Sequence, residues 1–218
     1  MPGVTQSAAA AAPAVPPEPT IRPGGCGGCT LCCKVMAVPA LSKPAGTWCR
    51  HCTTGSGCGI YETRPSQCAE FVCGYLAQPD MPEEWKPVIS RLILSSKIVH
   101  NTINVFVDPG RPDAWRKQPY YGTMQQWARQ ALTKQGRVVV HLGARSIVIL
   151  PDHAVDLGVV ADDELIVVLS TGAEPGRDAT HHVYAAKQAA WETARSEIAR
   201  TLRVPAAAHG FRIGRRLD

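Results

Sequence analysis

Residues 26–34 read CGGCTLCCK, which places four cysteines (Cys26, Cys29, Cys32 and Cys33) within eight positions. Cys49, Cys52, Cys58, Cys68 and Cys73 follow, and no cysteine occurs after them. Thiolates this crowded repel one another unless a cation sits among them. A two-residue gap between cysteines lets both sulfurs reach one ion at about 2.3 Å, and the turn it needs favours glycine. Gly24, Gly25, Gly27 and Gly28 surround the first pair, and Gly55, Gly57 and Gly59 surround Cys58. The stretch therefore decides the fold reading. Residues 24–78 are expected to be a cysteine-cluster metal-binding module with little regular structure, held together by its ions.

Composition narrows the class around that module. The chain has 218 residues, 45% apolar and 19% charged, the profile of a globular protein. Lys plus Arg exceeds Asp plus Glu by 23 to 18, a mild excess with no dense basic run. A nucleic-acid partner is not expected on that charge pattern. No run reaches the roughly 18 apolar residues of a membrane span, so no membrane partner is expected either. Residues 1–23 are read as a disordered Ala/Pro leader, without the basic start and Leu-rich stretch of a secretory signal. A cytoplasmic location follows, where thiols stay reduced, and nine is an odd number for disulfide pairing.

Residues 79–205 carry ordinary helix and strand patterns. MPEEWKP reads as a helical turn between prolines, while RLILSSKIV and NTINVFVDP read as strands flanking His100-Asn101. GTMQQWARQALTKQG puts Met124, Trp127, Ala131 and Leu132 on one stripe, an amphipathic helix stopped by Gly136. RVVVHL and RSIVIL form a second hairpin over Gly143-Ala144, and ELIVVLS is a further strand. HHVYAAKQAAWETARSEIARTLRV reads as an Ala-rich helix with Val183, Ala190, Ala194, Ile198 and Leu202 near one face. The fold class is α+β: the cysteine module packed on a small antiparallel sheet with two helices. Residues 206–218, with Arg212, Arg215 and Arg216, are expected to be a flexible basic tail.

The adjacent pair Cys32-Cys33 limits how the sulfurs divide, because neighbouring side chains point different ways. One of the two is expected to turn to a second site or to stand behind the ligands. Eight cysteines would complete two four-thiolate sites, and His51 is a possible substitute ligand. In GCGIYETRPSQCAEFVC, Ile60, Tyr61 and Phe71 are the large apolar residues available to cover the metal. Arg64 is placed to donate to metal-bound sulfur, so Tyr61 and Arg64 are the expected supports behind the ligands.

CGGCTLCCK, followed by Cys49 and then CGIYETRPSQCAEFVC, resembles the CxxCxxCC cysteine-cluster (YkgJ-like) family over residues 24–76. That family is described as zinc- or iron-chelating, so the resemblance implies metal binding by these cysteines. A lysine methylase acting on flagellin carries a similar cluster, thought to bind iron–sulfur. The resemblance adds a ligand set and no substrate.

Zinc and iron–sulfur stay equally open. Paired cysteine knuckles suit zinc, while the ferredoxin run C-x2-C-x2-C-x3-C-P is begun here but has Met36 and Ala37 where its last cysteine and proline belong. A thiol redox enzyme is disfavoured because no strand leads into Cys26 or Cys49. There is no P-loop and no HExxH, and no strand precedes GSGCG. His181-His182 read as the start of the last helix, and Asp162, Asp163 and Glu164 as a solvated turn. Trp85, Trp115, Trp127 and Trp191 read as core and interface anchors. A metal-binding protein whose α+β domain serves as scaffold or as a surface for another protein is the leading expectation. A metal- or cluster-dependent protein-modifying enzyme, such as a lysine N-methylase-like transferase, is the alternative.

Overall fold

The structure is a computed structural model that describes residues 22, 25, 28–95, 101–172, 179–205 and 209–217. The expected leader up to residue 21, together with Cys26 and His100, lies outside the described residues. Arg22 falls within the expected leader, yet its backbone N–H donates to Leu76 O at 2.8 Å and its guanidinium lies 4.0 Å over the Tyr75 ring.

The helices are α1 (Cys32–Val35), α2 (Ser66–Glu70), α3 (Gly74–Ala77), α4 (Pro87–Ser90), α5 (Tyr120–Leu132) and α6 (Gln188–Thr201). The strands are β1 (Cys52–Thr53), β2 (Gly57–Cys58), β3 (Leu92–Leu94), β4 (Thr102–Val107), β5 (Arg137–Leu142), β6 (Arg145–Ile149), β7 (Ala154–Val159), β8 (Glu164–Thr171), β9 (Thr180–Lys187), β10 (Phe211–Ile213) and β11 (Arg215–Leu217). This is a mixed α+β chain, as expected. Its larger sheet, however, has six strands in the order β11-β7-β6-β5-β4-β3, and β4 runs parallel to β5. A parallel pair needs a long crossover, and α5 supplies it. The second sheet is antiparallel, β10-β9-β8, and β1-β2 is a two-residue ribbon inside the cysteine module.

Three consecutive valines explain the layering. Val138, Val139 and Val140 of β5 are all fully buried, so the large sheet is covered on both faces. Val138 and Val140 pack with Trp85, Trp115 and Met124 under α5, and Val139 packs with Val148, Leu157, Val183 and Ala185 against the second sheet. Each such side chain contributes roughly 1.5–3 kcal/mol by leaving water. The buried stripe of α5 is Tyr120, Met124 and Ala128; of the expected stripe, Met124 is fully buried and Trp127 and Leu132 are partly buried against the core. Trp127 flanks Trp85, with ring centroids 4.8 Å apart. Gly136 ends the helical segment as expected, its N–H donating to Ala131 O at 2.7 Å.

Two expectations are corrected here. Residues 180–187 form β9 rather than the start of the last helix, and His181-His182 therefore lie on a strand, where His181 Nδ1 meets Ser170 Oγ at 2.8 Å. Alanine favours helix by itself, but Ala185 and Ala186 are fully buried between β8 and β10, and that packing overrides propensity. Ala194 and Ile198 do line the buried face of α6, whereas Leu202 is exposed. The expected basic tail also contains strands: β10 pairs with β9 and β11 pairs with β7. Gly214 makes the crossing between them. A Cβ there would stand 2.3 Å from Val155 Cγ1, so only glycine fits. Asp156, buried beneath, accepts from Arg145 Nε at 2.9 Å and from Gly158 N at 2.8 Å, and Arg215 adds a further cation at 3.4 Å. The Arg145 hydrogen bonds hold the Asp156 carboxyl down at about 2.

The large sheet also carries a polar trio. His141 Nε2–H donates to Asn104 Oδ1 at 2.8 Å, Ser146 Oγ lies 3.4 Å from Nδ1, and Phe106 stacks on the ring at 4.8 Å. Burial pushes the imidazole down to about 4. The folded value lies below the ordinary one near 6.5, so the unfolded chain binds more protons between pH 6.5 and 4. Stability from this residue is complete above pH 6.5 and falls by roughly 3 kcal/mol as pH drops through that window. Urea unfolding at stepped pH is expected to show that slope, and His141→Gln to flatten it; an unchanged slope in the variant would place the acid sensitivity elsewhere.

Candidate metal centre

One turn of helix sets the site. Leu31 and Val35 lie four apart, on one side of α1, and bury against Ile93 of β3 with Phe106 and Phe71 around them. Lys34 leaves that side and pairs with the buried carboxylate of Asp108 at 2.6 Å, where Gly110 N also donates at 2.9 Å. Burial opposes charge on Asp108, but the hydrogen bonds from Lys34 and Gly110 win and hold its pKa below the usual carboxylate value.

The second knuckle is stitched to this turn through the backbone. Cys49 N–H donates to Cys33 O at 2.9 Å, and Cys52 N–H closes on Cys49 O at 3.0 Å. Cys52 then faces Cys58 across the β1-β2 ribbon, and Gly59 N–H donates to His51 O at 2.7 Å. Thr30 Oγ1 accepts from Gly55 N at 3.2 Å. Gly28 has φ +78°, and a Cβ there would stand 2.9 Å from Gly55 O. The two glycine loops touch at a distance that no side chain allows.

All eight described cysteines are free, half-buried thiols. Six of them interact as one group. Cys33 is pushed well above the ordinary thiol range, first by its hydrogen bond with Cys32, then by burial and the Cys32 charge. Cys52 is pushed up to about 11 by burial and by Cys33. Cys68 is raised by burial and by the charges of Cys33, Cys49 and Cys58, with Arg64 opposing. Cys73 stands apart: burial raises it, and Cys29 is the thiol that acts on it. Cys29, Cys32 and Cys73 line a cavity of about 50 Å³ with Phe71, Leu76 and Ile93. Cys32 thus borders this cavity while its thiol hydrogen-bonds Cys33, so the two neighbouring sulfurs stand together.

Among the described residues, no three Cys, His, Asp or Glu side chains stand together as a ready metal-holding group. As placed, Cys33 hydrogen-bonds Cys32 and Cys52, the arrangement of protonated sulfurs rather than of thiolates drawn onto an ion. The donor chemistry nonetheless fits a thiophilic metal. The main charges that act on the Cys33, Cys52 and Cys68 sulfurs come from other thiols, Lys43 and Arg64.

The expected supports sit differently. Arg64 donates from Nη1 to Tyr61 O at 2.5 Å and stacks 3.7 Å above the Tyr61 ring, so its donors go to a carbonyl and its charge alone reaches Cys68. Tyr61 is 58% exposed and covers nothing, whereas Phe71 does join the apolar cluster under α1. His51 lies in the turn between Cys49 and Cys52 and contributes its carbonyl. Sequence reading missed Lys34, Asp108 and Lys43. Lys43 is 6% exposed and places its ammonium at the end of α1, and its one sequence signal is a lone charge inside the otherwise uncharged run VPALSKPAG.

No catalytic constellation competes with this site among the described residues. Ser146, His141 and Asn104 form a relay-like row, but Ser146 is buried and gives a substrate no access. Asp163 pairs with Lys187 at 2.7 Å and Glu164 with Arg212 at 3.4 Å, which accounts for the acidic turn. No family model, curated protein or solved structure matches the chain.

The Lys34–Asp108 pair ties the two cysteines of α1 to the sheet. Asp108→Asn is expected to cost about 2 kcal/mol in chemical denaturation and to speed maleimide labelling of Cys32 and Cys33, mapped by mass spectrometry. Unchanged labelling would show that α1 is held by its apolar contacts alone.

Proposed function

We propose that the cysteine module is a metal centre holding zinc or an iron–sulfur cluster in a cytoplasmic protein. The observation that carries the reading is the mutual electrostatic influence of six thiols: Cys32 and Cys33 of α1, Cys49 of the following turn, Cys52 and Cys58 of the β1-β2 ribbon and Cys68 of α2. Neutral thiols gain little from such crowding, whereas a bound cation repays the loop ordering that it requires. Cys29 and Cys73, with Cys26, complete the proposed ligand set. The motif resemblance to the zinc- or iron-chelating cysteine-cluster family points the same way.

The bound group would supply a fold-stabilising cross-link if zinc, or electron storage if iron–sulfur. This chain supplies the rest: Gly28 and Gly55 let the loops meet, Thr30 hydrogen-bonds the Cys52 sulfur, and Asp108 fixes α1 through Lys34. The α+β domain acts as the scaffold. The protein-modifying reading gains nothing from the cavity beside Cys73, which is small and walled mainly by carbon and sulfur.

Protein prepared without oxygen is expected to contain zinc and be colourless, or to be brown with iron and acid-labile sulfide, by elemental mass spectrometry and visible absorption. Fully reduced, folded protein free of both metals would overturn the proposal. Cys68→Ser is expected to lower metal content and melting temperature together. Full metal content in that variant would remove Cys68 from the ligand set.

A further inference from the structure

Lysine is seldom buried without an acidic partner. The two buried or half-buried lysines beside the cysteine module differ in this respect. Lys34 is matched by Asp108. Lys43, 6% exposed, has no acidic partner among the described residues; its ammonium donates to Lys34 O at 3.1 Å, to Pro44 O at 3.2 Å and to Met36 O. Carbonyls satisfy its N–H groups but leave its charge uncompensated. The position is built by the backbone. Val38 and Lys43 exchange hydrogen bonds at 2.9 and 3.1 Å, and Ser42 adopts a left-handed φ of 49° to turn the chain back onto α1. Burial works against this charge and lowers the ammonium's pKa, whereas the sulfurs of Cys49, Cys33, Cys32 and Cys68 favour it once they ionise.

We infer that Lys43 is the resident countercharge of the cysteine centre, a positioning residue whose buried ammonium, held by carbonyls at the end of α1, offsets the negative charge of sulfurs gathered on a bound ion. The inference rests on the metal-centre reading above and deepens it. Four thiolates outweigh one divalent cation, so a bound ion leaves excess negative charge at the site. An ammonium held in place by three carbonyls offsets part of that excess without competing as a ligand. Partners behind metal ligands typically change affinity by about 10- to 100-fold when removed.

The test uses the full chain, reduced and stripped of metal, titrated with Zn²⁺ against a chromophoric chelator. Lys43→Gln keeps an N–H donor for the carbonyls and removes the charge, while Lys43→Arg keeps the charge. Zinc affinity is expected to fall about 10- to 100-fold in Lys43→Gln and to stay close to the parent in Lys43→Arg, with the metal-free unfolding midpoints of both near the parent. Parent-like affinity in a folded Lys43→Gln overturns the countercharge role while leaving the metal centre standing. Absence of zinc and iron binding in the parent overturns the metal centre itself. Failure of both variants to fold makes Lys43 a clasp for the 38–43 loop and likewise overturns the inference.

Discussion

The docking of a single helical turn on a sheet governs this molecule. Leu31 and Val35 are four residues apart and spend their side chains on Ile93 and Phe106. Lys34 goes to Asp108. With those directions taken, the Cys33 thiol meets Cys52, Cys32 borders the apolar cavity, and Cys33 O is left to receive Cys49 N–H. The geometry of the thiol group is thus inherited from an ordinary apolar contact. A four-residue helix has little stability by itself, so its orientation is fixed by what it buries.

That arrangement explains which parts were legible beforehand. The knuckle spacing and its glycines are local, and a local pattern survives in the sequence. The Gly143 hairpin and the helix closed by Gly136 were readable for the same reason. Distant partners were not. The parallel pairing of β4 with β5 depends on where α5 returns the chain, and three buried valines in a row do not say which sheet covers which face. The Ala-rich stretch at 185–190 was ambiguous between a tightly packed strand and a helix, and the structure uses it as both. Asp108 and Lys43 escaped notice because a charge in a loop reads as solvated until burial is known.

Electrostatics divides the cysteine module into two environments. Around Cys33 the sulfurs raise one another and share a nearby ammonium. Around Cys73 the surroundings are hydrocarbon, and burial is the dominant effect on the thiol. Cys32 borders both. Under the proposed metal-centre reading, two such environments would offer unlike affinities to incoming ions.

The crossing at Gly214 has a consequence for biosynthesis. Residues 211–213 complete the small sheet and residues 215–217 complete the large one, so both sheets wait on the same short segment. The cysteine loops and the edge they rest on leave the ribosome far earlier. During translation the module can therefore seat itself while the opposite rim of the molecule is still open, and chain closure comes as a late clamp over β7 and β9.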